Sequence, residues 1–155
     1  MLFHIVDDLP ELRDILSSLI ASKGHDTKQF DSAESYLKYF NSAAFIAPVA
    51  ILSDYMMTGK TGLQLIKAVR EKSPYQKAVI VSGTPCSELD ASIEAYLCYS
   101  LNKPYHMQEL FDLLDVLIQC EQSCQRQTGR HTDFCHTDCS HGLDHPCPFH
   151  SGDSK

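Results

Sequence analysis

Three aspartates, one serine and one lysine are placed where they could handle phosphate. Asp7 and Asp8 follow the apolar run Leu2–Val6, and Asp54 follows Val49-Ala50-Ile51-Leu52-Ser53. Ser82 follows Ala78–Val81, and Lys103 follows Leu97–Leu101. Carboxylates brought within a few ångströms of one another repel unless a cation sits among them. Hard oxygen donors with no histidine in the set suit Mg²⁺, which keeps several waters and accepts phosphate oxygens. A carboxylate is ionised at neutral pH, so Asp54 could attack a phosphorus without a general base. The Ser82 hydroxyl and the Lys103 ammonium are what the other phosphoryl oxygens would need. The metal and Lys103 would offset the charge of a loose transition state.

The elements between these residues alternate. Pro10 opens a helical pattern with Leu12, Ile15, Leu16, Leu19 and Ile20 on one stripe and Gly24 as its stop. His25–Phe30 reads as a weak strand, and Ser32 can cap a helix through about Phe40. Thr61 with Gln64 forms a capping box for a helix carrying Leu63, Leu65, Ile66 and Val69. Ser87 with Asp90 starts a helix through about Tyr96, and Met107 to about Gln119 is a strongly apolar last helix. Five strands with short connections through five helices predict a parallel sheet covered on both faces. Right-handed crossovers make the doubly wound, flavodoxin-like order 2-1-3-4-5 the expected topology. In such sheets ligands bind at the carboxyl ends of the strands, where the five polar residues stand.

The pieces Val6-Asp7-Asp8, Leu52-Ser53-Asp54-Tyr55-Met56-Met57, Val81-Ser82-Gly83 and Asn102-Lys103-Pro104 occur in order. With their spacing, over residues 1–120, the chain resembles the receiver domain of two-component response regulators, as in single-domain chemotaxis regulators. An acidic pair after a strand is, by itself, more often a helix-start signal, and Lys-Pro alone carries nothing. The resemblance implies that Asp54 is the phosphoacceptor. It implies Mg²⁺ held by Asp8 directly, by Asp7 mainly through water, by Asp54 and by the backbone carbonyl of Met56. Ser82 would bind a phosphoryl oxygen and Lys103 would pair with it. The donor would be a phosphohistidine on a sensor histidine kinase or phosphotransfer protein.

Two positions depart from the family pattern, and a third bears on a rate. Thr58 stands where proline is usual, so the loop after Asp54 is expected to be looser. Ser100 stands at the usual aromatic switch position, with Tyr99 beside it and directed to the opposite face. Met56, two residues after the acceptor, cannot orient a water by hydrogen bonding, which implies a long-lived acyl phosphate.

The composition changes near residue 120. Of seven cysteines, Cys120, Cys124, Cys135, Cys139 and Cys147 fall there, with His131, His136, His141, His145 and His150. Residues 121–155 hold few aliphatic side chains and cannot build a core of their own. Cysteines four apart share a helix face, so Cys120/Cys124 and Cys135/Cys139 could each chelate an ion. With His131, Cys147 and His150 they form a candidate tetrahedral Zn²⁺ set. An iron–sulfur cluster on four thiolates is the competing reading, and a disordered tail with incidental cysteines is the plain one. Cys86 and Cys98 read as small apolar residues.

The chain has 155 residues with a formal net charge of -7, which disfavours nucleic acid in the absence of a basic patch. No run is long enough to span a membrane and no basic leader precedes the first strand, so a cytoplasmic protein is expected. Its output is expected to be a protein contact, with a homodimer or an unknown target as partner and residues 121–155 modulating partner choice. The alternative is a zinc or redox sensor using the receiver as scaffold. A Mg²⁺-dependent phosphatase on a related sheet would need an acid at Met56 and is set aside.

Overall fold

The computed structural model describes residues 1–74, 76–84 and 99–128, with side chains as far as residue 122. Five strands, β1 (Leu2–Val6), β2 (Asp26–Phe30), β3 (Ala50–Asp54), β4 (Lys77–Ser82) and β5 (Tyr99–Asn102), form one sheet. All are parallel, in the order β2-β1-β3-β4-β5. The four described helices are α1 (Pro10–Ser22), α2 (Ala33–Phe40), α3 (Gly62–Lys72) and α4 (Met107–Thr128). The helix expected over Ser87–Tyr96, Cys86, Cys98 and the segment beyond 128 lie outside the described residues.

The strand sequences explain the layers. Because successive side chains alternate between faces, Phe3, Ile5, Leu52, Val79 and Val81 line one face, packed by Leu16 and Ile20 of α1 and by Leu110, Leu114 and Leu117 of α4. Val6, Ile51 and the aromatics of α2 share the other face with Leu65 and Val69 of α3. Two covered faces require near-continuous apolar strands, which is why β3 and β4 are almost wholly buried. The edge strand β2 is polar and mostly exposed, as an unpaired edge should be.

Local signals set the helix ends. Ser32 accepts from the Ser35 amide to cap α2. At α3 both bonds of the capping box form, Gln64 N–H to Thr61 Oγ1 and Thr61 N–H to Gln64 Oε1. Two expectations need correction. The apolar stripe of α1 is narrower than the sequence suggests: Leu16 and Ile20 are buried, but Ile15 is 53% exposed and Leu12 36%. At 100° per residue, Ile15 is turned well off the Leu16–Ile20 face. Helix α4 also continues past Gln119 to Thr128. No glycine or proline interrupts residues 107–128, and Glu121 is drawn into the protein by Lys77. The compositional boundary at 120 thus falls inside a helix, and Cys120 is buried at 5% exposure against the core. No described helix is long and apolar enough to cross a membrane.

Candidate functional site

The carboxyl ends of β1, β3, β4 and β5 meet at one end of the sheet. Lys103, just beyond β5, places Nζ 2.6 Å from Asp54 Oδ1 and 3.5 Å from Asp7 Oδ2. One ammonium therefore bridges the acids that end β1 and β3. Asp7 is almost fully buried. Its Oδ1 accepts the Leu9 amide, and its carbonyl accepts Arg13 Nη1 at 2.6 Å, which ties the strand end to α1. Asp8 turns elsewhere: its Oδ2 accepts both the Thr58 amide, at 3.0 Å, and Thr58 Oγ1, at 3.1 Å.

Burial pushes the Asp54 carboxyl above its ordinary pKa; the Lys103 ammonium pulls it down, and Asp7 and Asp8 add to the rise. For Lys103 burial works downward, but the bond to Asp54 and the charges of Asp54 and Asp7 outweigh it and raise its pKa. Ser82 is buried and its Oγ accepts the Thr84 amide, which leaves its O–H as a donor. Its carbonyl receives the Lys103 amide at 2.7 Å, so Ser82 and Lys103 are fixed side by side. Met56 is 71% exposed.

Helix α3 approaches this end closely. A Cβ on Gly62 would lie 2.2 Å from the Asp54 carbonyl oxygen, so only glycine allows the helix to start there. The Gly62 amide donates to the Tyr55 carbonyl and closes the loop after Asp54.

The structure thus brings Asp7, Asp54 and Lys103 into contact, sets Ser82 beside Lys103, and directs Asp8 to Thr58. Among the described residues no three acid, histidine or cysteine side chains stand in a metal-holding array. The donor set still suits a hard cation, because Asp7 and Asp54 share Lys103 and the Asp8 charge is close enough to act on Asp54. Cys120 lies far along α4 from this site, and Cys124, Cys135, Cys139, Cys147, His131 and His150 fall outside what is described of side chains.

Sequence reasoning missed three residues. Thr58 reads in the sequence only as a missing proline, although its two donors on one carboxylate give it a direct place at the site. Gly62 carries no signal beyond following a cap residue. Tyr105, half-buried against the core, has its phenol pushed up by burial, with Lys103 pulling it down; an aromatic two residues after Lys103 was the available clue.

The profile of the response regulator receiver domain matches residues 3–115. The chain belongs to the response regulator receiver family. This receiver is 32% identical over 117 residues to the DNA-binding transcriptional regulator NtrC of Proteus hauseri, covering 74% of this chain and 24% of NtrC. It is 26% identical to FixJ of Bradyrhizobium diazoefficiens, covering 75% of this chain and 56% of FixJ. The receiver spans only about a quarter of the NtrC relatives it matches. Among solved structures, TrrA of Thermotoga maritima, in complex with Mg²⁺–BeF, has a TM-score of 0.67 at 22% identity, covering 75% of this chain and 97% of TrrA. CheY4 of Vibrio cholerae has the same TM-score at 23% identity and the same coverage. These structures share the fold.

Proposed function

We propose that this receiver accepts a phosphoryl group on Asp54 from a phosphohistidine of a sensor kinase or phosphotransfer protein, in a Mg²⁺-dependent reaction, and signals by protein contact in the cytoplasm. The observation that carries the reading is the bridge from Lys103 to both Asp54 and Asp7. The transfer breaks the donor's P–N bond and forms a P–O bond to Asp54, leaving an acyl phosphate and a free imidazole. Lys103 favours the ionised form of Asp54 at rest, then moves its charge to the incoming phosphoryl oxygens. The Ser82 hydroxyl donates to one of those oxygens. Asp7, Asp8, Asp54 and the Met56 carbonyl would hold Mg²⁺, whose charge offsets that of the transferring group. That TrrA was solved with Mg²⁺–BeF supports this assignment.

Helix α4 begins at the carboxyl end of the sheet and reaches Lys77, the first residue of β4, through Glu121. Residues beyond 121 therefore start at the end opposite Asp54. A Zn²⁺ or iron–sulfur site within residues 121–155, which their cysteines and histidines suggest, would modulate partner contacts. Metal analysis of anaerobically purified protein tests this addition: absence of both metals removes it.

The test of the main reading is incubation with acetyl phosphate or phosphoramidate, with and without Mg²⁺. Label appearing only with Mg²⁺, and lost in Asp54→Ala, is the expected result. Label retained in Asp54→Ala removes Asp54 from its role.

A further inference from the structure

Thr58 makes two contacts that nothing in the phosphoacceptor chemistry requires. Both of its donors, the amide and the hydroxyl, meet the same oxygen, Oδ2 of Asp8, at 3.0 and 3.1 Å. Hydrogen bonds to a carboxylate are charge-assisted and stronger than neutral ones. The loop that carries Thr58 is itself pinned. Glu34 of α2 accepts the Lys60 amide at 3.3 Å and faces the Lys60 ammonium at 3.9 Å, and the Gly62 amide bonds the Tyr55 carbonyl at 3.0 Å. Asp8 is therefore held at the loop by donors that the loop's own anchors keep in place.

The consequence shows in the acids themselves. Asp7 and Asp54 share Lys103, while Asp8 Oδ2 is taken up by the β3–α3 loop. We propose that Thr58 is a positioning residue, a clamp that holds Asp8 Oδ2 to the β3–α3 loop, so that a divalent cation drawing on that oxygen must first break these bonds. This rests on the receiver reading. A proline at this position, usual in the family that the sequence resembles, has no amide hydrogen and no hydroxyl. The exchange for threonine supplies both donors at once. A ligand that must draw its carboxylate from a competing pair of bonds binds more weakly by the cost of the competing state.

Calorimetric titration of the 155-residue protein with MgCl₂ tests the clamp without phosphorylation. Thr58→Ala, which removes the hydroxyl, and Thr58→Pro, which removes both donors, should tighten Mg²⁺ binding, together spanning roughly three- to tenfold with proline the larger. Thr58→Ser keeps both donors and should bind as the wild type does. The same ordering is expected in the Mg²⁺ concentration that half-maximally shifts the Asp8 side-chain carboxyl resonance, a signal that a general loss of loop stability would not order in this way. Equal or weaker Mg²⁺ binding by Thr58→Ala, or tightening by Thr58→Ser, overturns the clamp while leaving the receiver reading intact. A wild-type protein that binds no Mg²⁺ overturns both.

Discussion

Lys77 Nζ lies 2.8 Å from Glu121 Oε2, and the two side chains are 3% and 4% exposed. The pair joins the first residue of β4 to the far part of α4. Two charges taken from water cost several kcal/mol each, so a buried pair offsets its own desolvation and little more, whereas half of it is strongly destabilising. Lys77→Met or Glu121→Ala alone should therefore lower stability by about 3 kcal/mol or more. The apolar double replacement Lys77→Met with Glu121→Leu should recover most of that loss. Urea unfolding of these variants, with Glu121→Leu alone to complete the cycle, measures it, and losses that add in the double variant would show the two residues to be independent.

Asp54 should titrate above the ordinary carboxylate range, because burial and the neighbouring acids outweigh Lys103. Only the ionised carboxylate attacks phosphorus, so labelling by acetyl phosphate should rise with pH through that elevated pKa. Lys103→Met should move the rise to still higher pH. A folded pKa above the unfolded one means that the native state binds more protons across that window. The stability owed to this group therefore falls as pH rises through it. Carboxyl-carbon NMR of Asp54 in both proteins gives the shift directly; no change on removing Lys103 would contradict the ion pair.

His4 is fully buried in β1, with Nδ1 3.1 Å from the Tyr36 hydroxyl and Nε2 without a hydrogen-bond partner among the described residues. Burial, helped by the Lys28 charge, lowers its pKa to about 4. The unfolded chain takes up the proton from about pH 6.5 downward, the fold only near pH 4, so stability should fall with falling pH across that window. The loss attributable to this group is about 3 kcal/mol at its limit. His4→Phe should flatten the pH dependence between pH 6.5 and 4 at the constant cost of leaving the Tyr36 hydroxyl unpaired. Chemical denaturation at several pH values separates the slope from the offset.

Met56 is 71% exposed, and its thioether is at best a weak acceptor. It cannot hold a water for in-line attack on an acyl phosphate at Asp54. Met56→Asn should speed dephosphorylation by roughly tenfold with little effect on labelling rate. An unchanged rate of phosphate release from isolated, labelled protein would show that this position does not control it.

The polar residues that gather at one end of the sheet were legible in the sequence because they stand at strand ends. Buried parallel strands write themselves as apolar runs, and Asp7, Asp8, Asp54 and Ser82 stand at the ends of such runs, while Lys103 follows the short, partly exposed β5. The caps at Ser32 and Thr61 were readable for the same local reason: a cap bond spans three residues. What depends on contacts between distant residues was not readable. Lys77 and Glu121 look like two surface charges until the fold encloses them, and a stripe of five apolar residues on α1 gives no hint that only part of it meets the sheet. Thr58 reads as a missing proline, and only the folded loop brings its two donors to Asp8, fifty residues away. Gly62 owes its identity to a strand carbonyl 2.2 Å from where its Cβ would stand. Side-chain type and period are properties of the chain, but which charge is buried and which donor meets which carboxylate are set by close packing, which exists only once the sheet and its helices have come together.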